Sequence, residues 1–470
     1  MLRLSLLNIF LMFVVTAVGA EPTKEEAKQG LLKAVKFFHE KVATQGGYVW
    51  RVSSDLTMKE GEGLAGDSKI WIQPPGTPAV GQAFLDAYDA TGEQACLQAA
   101  KDTAAALLKG QVNTGGWDHH VEMDAKKRLE YGYRDLKNKK QGHTSMDDDI
   151  TPSAVRLLIR LDNTLQFRDE KLHEATLYAL NSMVGAQYPN GAWYMWWEQF
   201  PTKPYNSQEF PIKKASYPET WSRKWGNDWT GRYFLNDRIT QNGIAAMLAA
   251  FEIYGDERYF NSAKRGGEFL LLAQMPEPQP AWAQQYNPQM QPVWDRKFEP
   301  PAITGLESQD VLETLMLLFR KTGDKRYLEP IPRALAYLKK SQLPSGQLAR
   351  FYELQTNRPL FFQRTGSRYD LTYDGDDTPA HYGFFIPSRL DSISAEYQRL
   401  TQTPIPPTPS PIPADLSAQV RTILDSLDPR GAWTTPGTMR SYQKVQPADG
   451  ILDSAVFIHH IQLLCQFIRT

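Results

Sequence analysis

The stretch Val311-Leu312-Glu313-Thr314-Leu315-Met316-Leu317-Leu318-Phe319-Arg320-Lys321-Thr322-Gly323-Asp324 decides the fold. Its apolar residues at 311, 312, 315, 316 and 319 fall on one face of a 3.6-residue period, and Gly323 followed by an acid ends one helix and opens another. The second helix closes near Gln342, nineteen residues after Gly323. The same interval separates Gly92 from Gln111, Gly255 from Gln274 and Arg168 from Gln187, with Glu93, Asp256 and Asp169 as the acids of the turns. Four helical hairpins therefore share one frame. Beyond the Gln the frame continues: Gly115, Gly191 and Gly346 stand four residues later, and Trp117 and Trp193 six. The third copy departs, with Pro278 and Trp282.

A helix over about residues 25–42, ending in Gly46-Gly47-Tyr48, and a final part from Ser417 to Leu427 leading to Gly431-Ala432-Trp433 read as degenerate flanking copies. Units of this kind bury their apolar faces only against neighbouring units. The expected fold is all-α: an α/α toroid, an incomplete α/α barrel of hairpins with long inter-hairpin loops on one rim. An open superhelix is the alternative. Residues 21–470 are expected to form a single domain, with the Pro-rich stretch 403–413 as a surface connection.

Arg3, the apolar run Leu4 to Val18 and the small residues Val18-Gly19-Ala20 read as a secretory signal over residues 1–20, so a secreted or periplasmic location is expected. The run is short for a membrane span, and no later segment is apolar enough for one. Lys plus Arg (52) nearly balances Asp plus Glu (53), which leaves no basic field for nucleic acid. Cys96 and Cys465 sit in apolar helical patterns and read as buried thiols, not as a disulfide framework. A monomer is expected.

Loops that join the hairpins are long and rich in Trp, Tyr, Arg and Asp, the composition of a binding face on a rigid scaffold. Asp147-Asp148-Asp149, Asn236-Asp237 and Glu307 open the first helices of hairpins on that rim. Arg296, Arg350, Arg358, Arg364 and Arg368 follow the Gln of the third and fourth copies. A single acid at a helix start reads as an N-cap, but three in a row exceed what capping needs. Clustered hard oxygen donors near cationic side chains suit Ca2+ together with a carboxylated ligand. Trp193 occupies the repeated position and reads as core. His119 and His120 lack a further His or Cys at ligand spacing, so no zinc site is expected, and no nucleophile elbow or phosphate loop is present.

In these loops the sequence resembles the family 10 polysaccharide lyases, pectate lyases built on an α/α toroid. The resemblance spans about residues 146–370 and rests on ordered blocks: Met146-Asp147-Asp148-Asp149-Ile150-Thr151, Gln187-Tyr188-Pro189-Asn190-Gly191-Ala192-Trp193, Asn236-Asp237, Trp282-Ala283-Gln284-Gln285-Tyr286, Asp295-Arg296-Lys297-Phe298-Glu299-Pro300, Gly305-Leu306-Glu307-Ser308, and Arg350 to Pro359. It implies cleavage of polygalacturonate or a related uronic-acid polysaccharide by calcium-assisted β-elimination. It implies Arg296 as base or enolate stabiliser, and Asp147 and Asp237 as catalytic acids that hold calcium together with Asp149. Arg358, Arg350, Asn236, Glu299 and Trp197 are the substrate contacts expected with it. Chemically the reaction removes the proton at C5 beside a carboxylate, so neutralising that carboxylate is the main task.

Three other readings share these residues. Asp147 and Asp237 could serve as acid and base of a glycoside hydrolase acting on uronic-acid-containing glycans. The rim could belong to a non-catalytic carbohydrate-binding relative. Gln187 to Trp193 also fits a Q-x-x-x-G-x-W terpene-cyclase repeat, which export and the Arg-rich loops oppose.

Overall fold

The computed structural model describes residues 21–227, 229–402 and 415–470; the expected leader over 1–20 and the Pro-rich stretch 403–413 lie outside the described residues. Its α-helices are α1 Lys24–Phe37, α2 Thr77–Thr91, α3 Gln94–Gly110, α4 Ile150–Thr164, α5 Glu170–Gly185, α6 Ile239–Tyr254, α7 Glu257–Leu272, α8 Gly305–Thr322, α9 Ile331–Lys340, α10 Leu390–Thr401, α11 Leu416–Asp425 and α12 Ser454–Arg469. The four hairpins of the frame are α2–α3, α4–α5, α6–α7 and α8–α9. Their first helices pack in series, α2 on α4, α4 on α6 and α6 on α8, and the series runs on to α10 at one end and α12 at the other. Second helices pack in a parallel outer series, α1 on α3, α3 on α5 and α5 on α7. The result is an α/α toroid.

The terminal elements depart from the expectation of two separate flanking copies. Helix α1 packs against α12, and the extended residues after α1, Arg51–Ser53, pair antiparallel with Ile451–Asp453 before α12. The first and last helices thus make one hairpin between them, and α1 also packs on α11. Only contacts between residues about 400 apart create this unit, so no local pattern announces it.

Local chemistry explains the frame. Gly92, Gly255 and Gly323 end α2, α6 and α8 at φ 67° to 70°, the left-handed cap that lets the next helix start at once. Asp256 and Asp324 then accept from the backbone N–H of Arg258 and Arg326, and Asp169 from that of Leu172. At the other end of each hairpin the Gln is a two-way clamp. Gln111 Nε2 donates to the Gly115 carbonyl and to Ala175 O in the next hairpin; Gln187 does the same with Gly191 O and Ser262 O. Gly191 sits at φ +95°, and a Cβ there would meet the Arg265 carbonyl at 1.9 Å, so the close approach demands glycine. The Trp is a peg: Trp117, Trp193 and Trp282 are fully buried, and their indole N–H groups donate to the carbonyls of Leu107, Met183 and Leu270. Trp433 repeats the bond with Ile423 O. The third copy does not abandon this frame. Gln274 reaches Pro280 O and, in the next hairpin, Pro330 O, so its loop keeps the clamp across a slightly longer span.

The all-α expectation misses one layer. Extended residues on either side of a hairpin pair into short antiparallel clips: Lys69–Trp71 with His120–Glu122, Thr144–Ser145 with Trp196–Trp197, Tyr233–Phe234 with Gln285–Tyr286, and Ala302–Thr304 with Phe351–Glu353. These clips are two or three residues long, too short to show an alternating pattern. They bind the long loops to the lead-ins of the inner helices, and so fix the rim that carries the acids.

Candidate active site

Two helix starts on this rim have the same backbone. Before α4, Asp148 and Asp149 adopt consecutive left-handed conformations at φ 44° and 61°; before α6, Asp237 and Arg238 do so at φ 50° and 59°. Met146-Asp147-Asp148-Asp149-Ile150-Thr151 thereby superimposes in register on Leu235-Asn236-Asp237-Arg238-Ile239-Thr240, and Asp148 is the internal counterpart of Asp237. Consecutive left-handed turns in non-Gly residues cost energy that the surrounding structure must supply. The effect is to aim both carboxylates at one point. Ligand atoms of Asp147, Asp148 and Asp237 lie within 4.8 Å of one another.

Charge crowding marks the site. Burial, followed by the charge of Asp237, pushes Asp147 up to about 6; burial and Asp147 do the same to Asp148, and burial, Asp148 and Glu299 to Asp237. Asp147 Oδ1 and, beside Asp237, Asn236 Oδ1 are buried without a hydrogen-bond partner. Hard oxygens, some of them orphaned and several mutually repelling, fit a divalent cation such as Ca2+. Asp149, the third ligand expected, stands on the same cleft as Asp148 and Asp237, with its Oδ1 buried and without a hydrogen-bond partner. Its Oδ2 pairs with Arg156 NH2, and it is Asp148 that joins Asp147 and Asp237. Gln73 Nε2 steadies Asp148 from α2's lead-in at 2.6 Å.

Facing the acids is a network of buried charge. Glu299, fully buried, accepts from Arg296 Nε at 2.6 Å and NH2 at 2.5 Å, and from the Tyr382 hydroxyl at 2.8 Å. Glu299 is therefore the seat of Arg296 and not the substrate contact expected of it. For Arg296 itself, burial acts to lower its pKa, but hydrogen bonding to Glu299 and that residue's charge outweigh it and drive the guanidinium above its ordinary range. Held in this fork, Arg296 serves as a fixed cation, which speaks against its expected alternative role as base. Half of its side chain stays open to solvent. Arg350 NH2 donates to buried Glu307 at 2.9 Å, and Gln284 Nε2 links Glu299 and Glu307. Arg350, Glu307, Asp148 and Asp237 share a cleft of about 580 Å3.

Trp197 and Arg358 complete the expected contacts. Trp197 is buried, and its indole N–H donates to Thr114 O and Ser182 Oγ, so it is part of the scaffold and offers no face to a ligand. Arg358 is exposed and lies 3.3 Å over the Tyr373 ring, on the turn between Phe351–Glu353 and Pro359–Thr365.

At the edge of the acid trio stands an Asp–His pair that no sequence motif marks. His119 Nδ1 is 2.7 Å from Asp118 Oδ1, and His143 Nδ1 is 3.4 Å from Asp118 Oδ2. Hydrogen bonds place the pair. Trp117 O accepts from Ser145 N, and His119 and Asp147 each stand two residues beyond that bond, close enough for the His119 charge to act on Asp147; His119 O accepts from Ile72 N, next to Gln73. The bond to Asp118, then its charge, raises the His119 pKa against the lowering effect of burial. In the sequence His119 and His120 bear only on a zinc site, which their spacing does not complete, and His143 carries no signal. The available signal was an acid directly preceding a histidine on a long loop, too common to single out.

No known protein-family profile matches the chain, and no curated protein matches it. Solved structures do resemble it. A mutant of a family 10 polysaccharide lyase from Cellvibrio cellulosa, in complex with trigalaturonic acid, is 18% identical with a TM-score of 0.46, over 69% of this chain and 99% of that one. A cellobiose 2-epimerase from Bacillus thermoamylovorans is 14% identical with a TM-score of 0.49, over 95% and 98%. An α-1,6-mannanase of Salegentibacter sp. in complex with α-1,6-mannotriose is 10% identical with a TM-score of 0.40, over 95% and 99%. At these values none of the likenesses bears on what the chain does. No helix among the described residues is long and apolar enough to cross a membrane.

Proposed function

We propose that this protein is an exported polysaccharide lyase, a pectate lyase that cleaves polygalacturonate by β-elimination with the help of a bound divalent cation, Ca2+. The observation that carries the reading is the convergence of Asp147, Asp148 and Asp237 opposite a guanidinium locked in place by a buried carboxylate. Asp147, Asp148 and Asp237 would hold the cation, which when bound neutralises the uronate carboxylate and makes its C5 proton more acidic. The ordered sequence blocks that resemble the family 10 lyases support the same substrate.

Arg296 meets the growing negative charge. Seated on Glu299, it needs no reorganisation as the C5–H bond breaks and an enolate develops, the condition under which a fixed cation contributes most. His119 is the proton acceptor in this scheme. With Nδ1–H donating to Asp118, its Nε2 lone pair is left free for the C5 proton. Arg350, beside Glu307, adds positive charge to the wall of the cleft.

Hydrolysis is the second reading, favoured by one observation: Asp147 and Asp237 present carboxylate oxygens within 4.8 Å of each other, near enough for the paired carboxyl groups of a retaining glycosidase, which stand roughly 5 Å apart. The product decides. Elimination leaves a conjugated, ultraviolet-absorbing unsaturated uronide at the new chain end, and hydrolysis leaves a saturated one. Absorbance should rise with polygalacturonate and Ca2+, stop on chelation, and fail with Arg296→Ala. Chain scission without absorbance, or absorbance indifferent to both chelator and substitution, would overturn the lyase reading.

A further inference from the structure

Between Trp197 and Tyr233 the chain leaves the frame on an excursion whose described residues form no helix or strand. It is laid down by bonds to neighbouring loops. Ala215 N donates to Leu272 O at the end of α7, Ser216 N to Met290 O, and Trp294 Nε1 to Ser222 O. It brings Trp221, Trp225 and Trp229 along the rim at intervals of four residues.

Trp225 and Trp229 differ from the buried pegs of the scaffold. They are 37% and 39% exposed, the two indoles among the exposed large hydrophobic side chains of the described residues. Each is nevertheless pinned by its N–H edge: Trp225 Nε1 donates to the Asp295 carbonyl at 2.9 Å, and Trp229 Nε1 to the Tyr194 hydroxyl at 2.9 Å. An exposed indole with its polar edge already bonded gains nothing from water on its face, and holding it open costs apolar exposure. Trp229 extends onto Trp196, ring centroids 6.0 Å apart, while Trp225 hangs on the peptide that leads directly to Arg296.

We infer that Trp225 and Trp229 are stacking subsites for sugar residues of one anionic polysaccharide chain lying along the rim past Arg296. Pyranose C–H groups carry slight positive charge and meet the negative face of an indole, which suits a flat, pre-oriented ring. A modest basic excess favours an anionic chain: between Trp197 and Tyr233 stand Lys203, Lys213, Lys214, Arg223, Lys224 and Arg232 against Glu198, Glu209, Glu219 and Asp228, and Arg223 pairs with Glu353. This inference rests on the uronide reading above, but it concerns binding along the chain and not the bond that is cut.

The test measures binding without turnover. In an Arg296→Ala background with Ca2+ present, tri- and hexagalacturonate are titrated calorimetrically, with mannohexaose as the neutral probe. Trp225→Ala and Trp229→Ala should each weaken hexagalacturonate about tenfold, the upper end of what one aromatic ring contact contributes, and leave trigalacturonate within twofold for at least one of the two. Trp229→Tyr, which keeps an aromatic face, should recover most of the loss, which a merely structural role of the loop would not allow. Unchanged hexagalacturonate affinity in both variants, or equal loss for both lengths in both, overturns the subsites. Tryptophan-dependent binding of mannohexaose with no binding of either galacturonide overturns the assignment to an anionic chain together with the uronide reading.

Discussion

Replacing Glu299 by Gln tests whether Arg296 acts as a seated cation. The carboxylate is fully buried and makes two charge-assisted bonds to Arg296, at 2.6 and 2.5 Å, and takes a third from Tyr382 at 2.8 Å. Glu299→Gln keeps the shape and one acceptor, but turns the other oxygen into an NH2 that faces a guanidinium N–H. Charge-assisted hydrogen bonds of this kind contribute about 1.5–3 kcal/mol each. Because half of the Arg296 side chain is open to solvent, water offsets part of the loss. A net penalty of about 3 kcal/mol in transition-state stabilisation corresponds to a fall of roughly two orders of magnitude in kcat. The assay is the initial rate of ultraviolet-absorbing product from polygalacturonate with saturating Ca2+, with thermal melting to show that the variant is folded. Arg296→Lys should fall comparably, since an ammonium cannot fill the two-pronged seat. Glu299→Gln within threefold of the parent, alongside an inactive Arg296→Ala, would refute the argument: Arg296 would then act without its partner.

Three further outcomes follow from the same geometry. Asp147, Asp148 and Asp237, pushed up to about 6, hold protons more tightly folded than unfolded, so in chelator their contribution to stability falls as pH rises from about 4 to 6; urea midpoints at pH 4.5 and 7 should show it, Asp148→Asn should flatten it, and Ca2+ should raise the midpoint at pH 7 far more than at pH 4.5. If neutral His119 accepts the proton, activity rises with pH through its raised pKa, and Asp118→Asn, by removing the bond and charge that raise it, should move that limb of the kcat profile toward acid; a limb that stays in place rejects the assignment. Gln187→Ala removes a clamp between hairpins and leaves the carbonyls of Gly191 and Ser262 short of a donor, which should cost about 2–3 kcal/mol in denaturant unfolding while kcat stays within a few-fold.

What the sequence made legible follows from the range of each interaction. Gly323, Asp324 and Gln342 act within one hairpin, so their chemistry repeats at a fixed interval and can be read from spacing alone. The clamp on the next hairpin is longer in range but repeats with it, and the toroid was accessible for that reason. Pairing of α1 with α12 repeats nowhere and joins the two ends of the chain, so it left only two weak fragments of the pattern. The acid site lies between these cases. Asp147 and Asp237 stand out in the sequence, whereas the choice between Asp148 and Asp149 as their companion does not, because adjacent acids differ only in where a left-handed turn points them. Aligning the two copies on Ile150-Thr151 and Ile239-Thr240 separates them: Asp148 falls on Asp237, and Asp149 on Arg238, whose guanidinium is bonded to Asp310. The repeat that built the scaffold therefore also contained the register of the site. Its use requires treating the variable residue of each copy, and not only the conserved Gln, Gly and Trp, as a position with a direction.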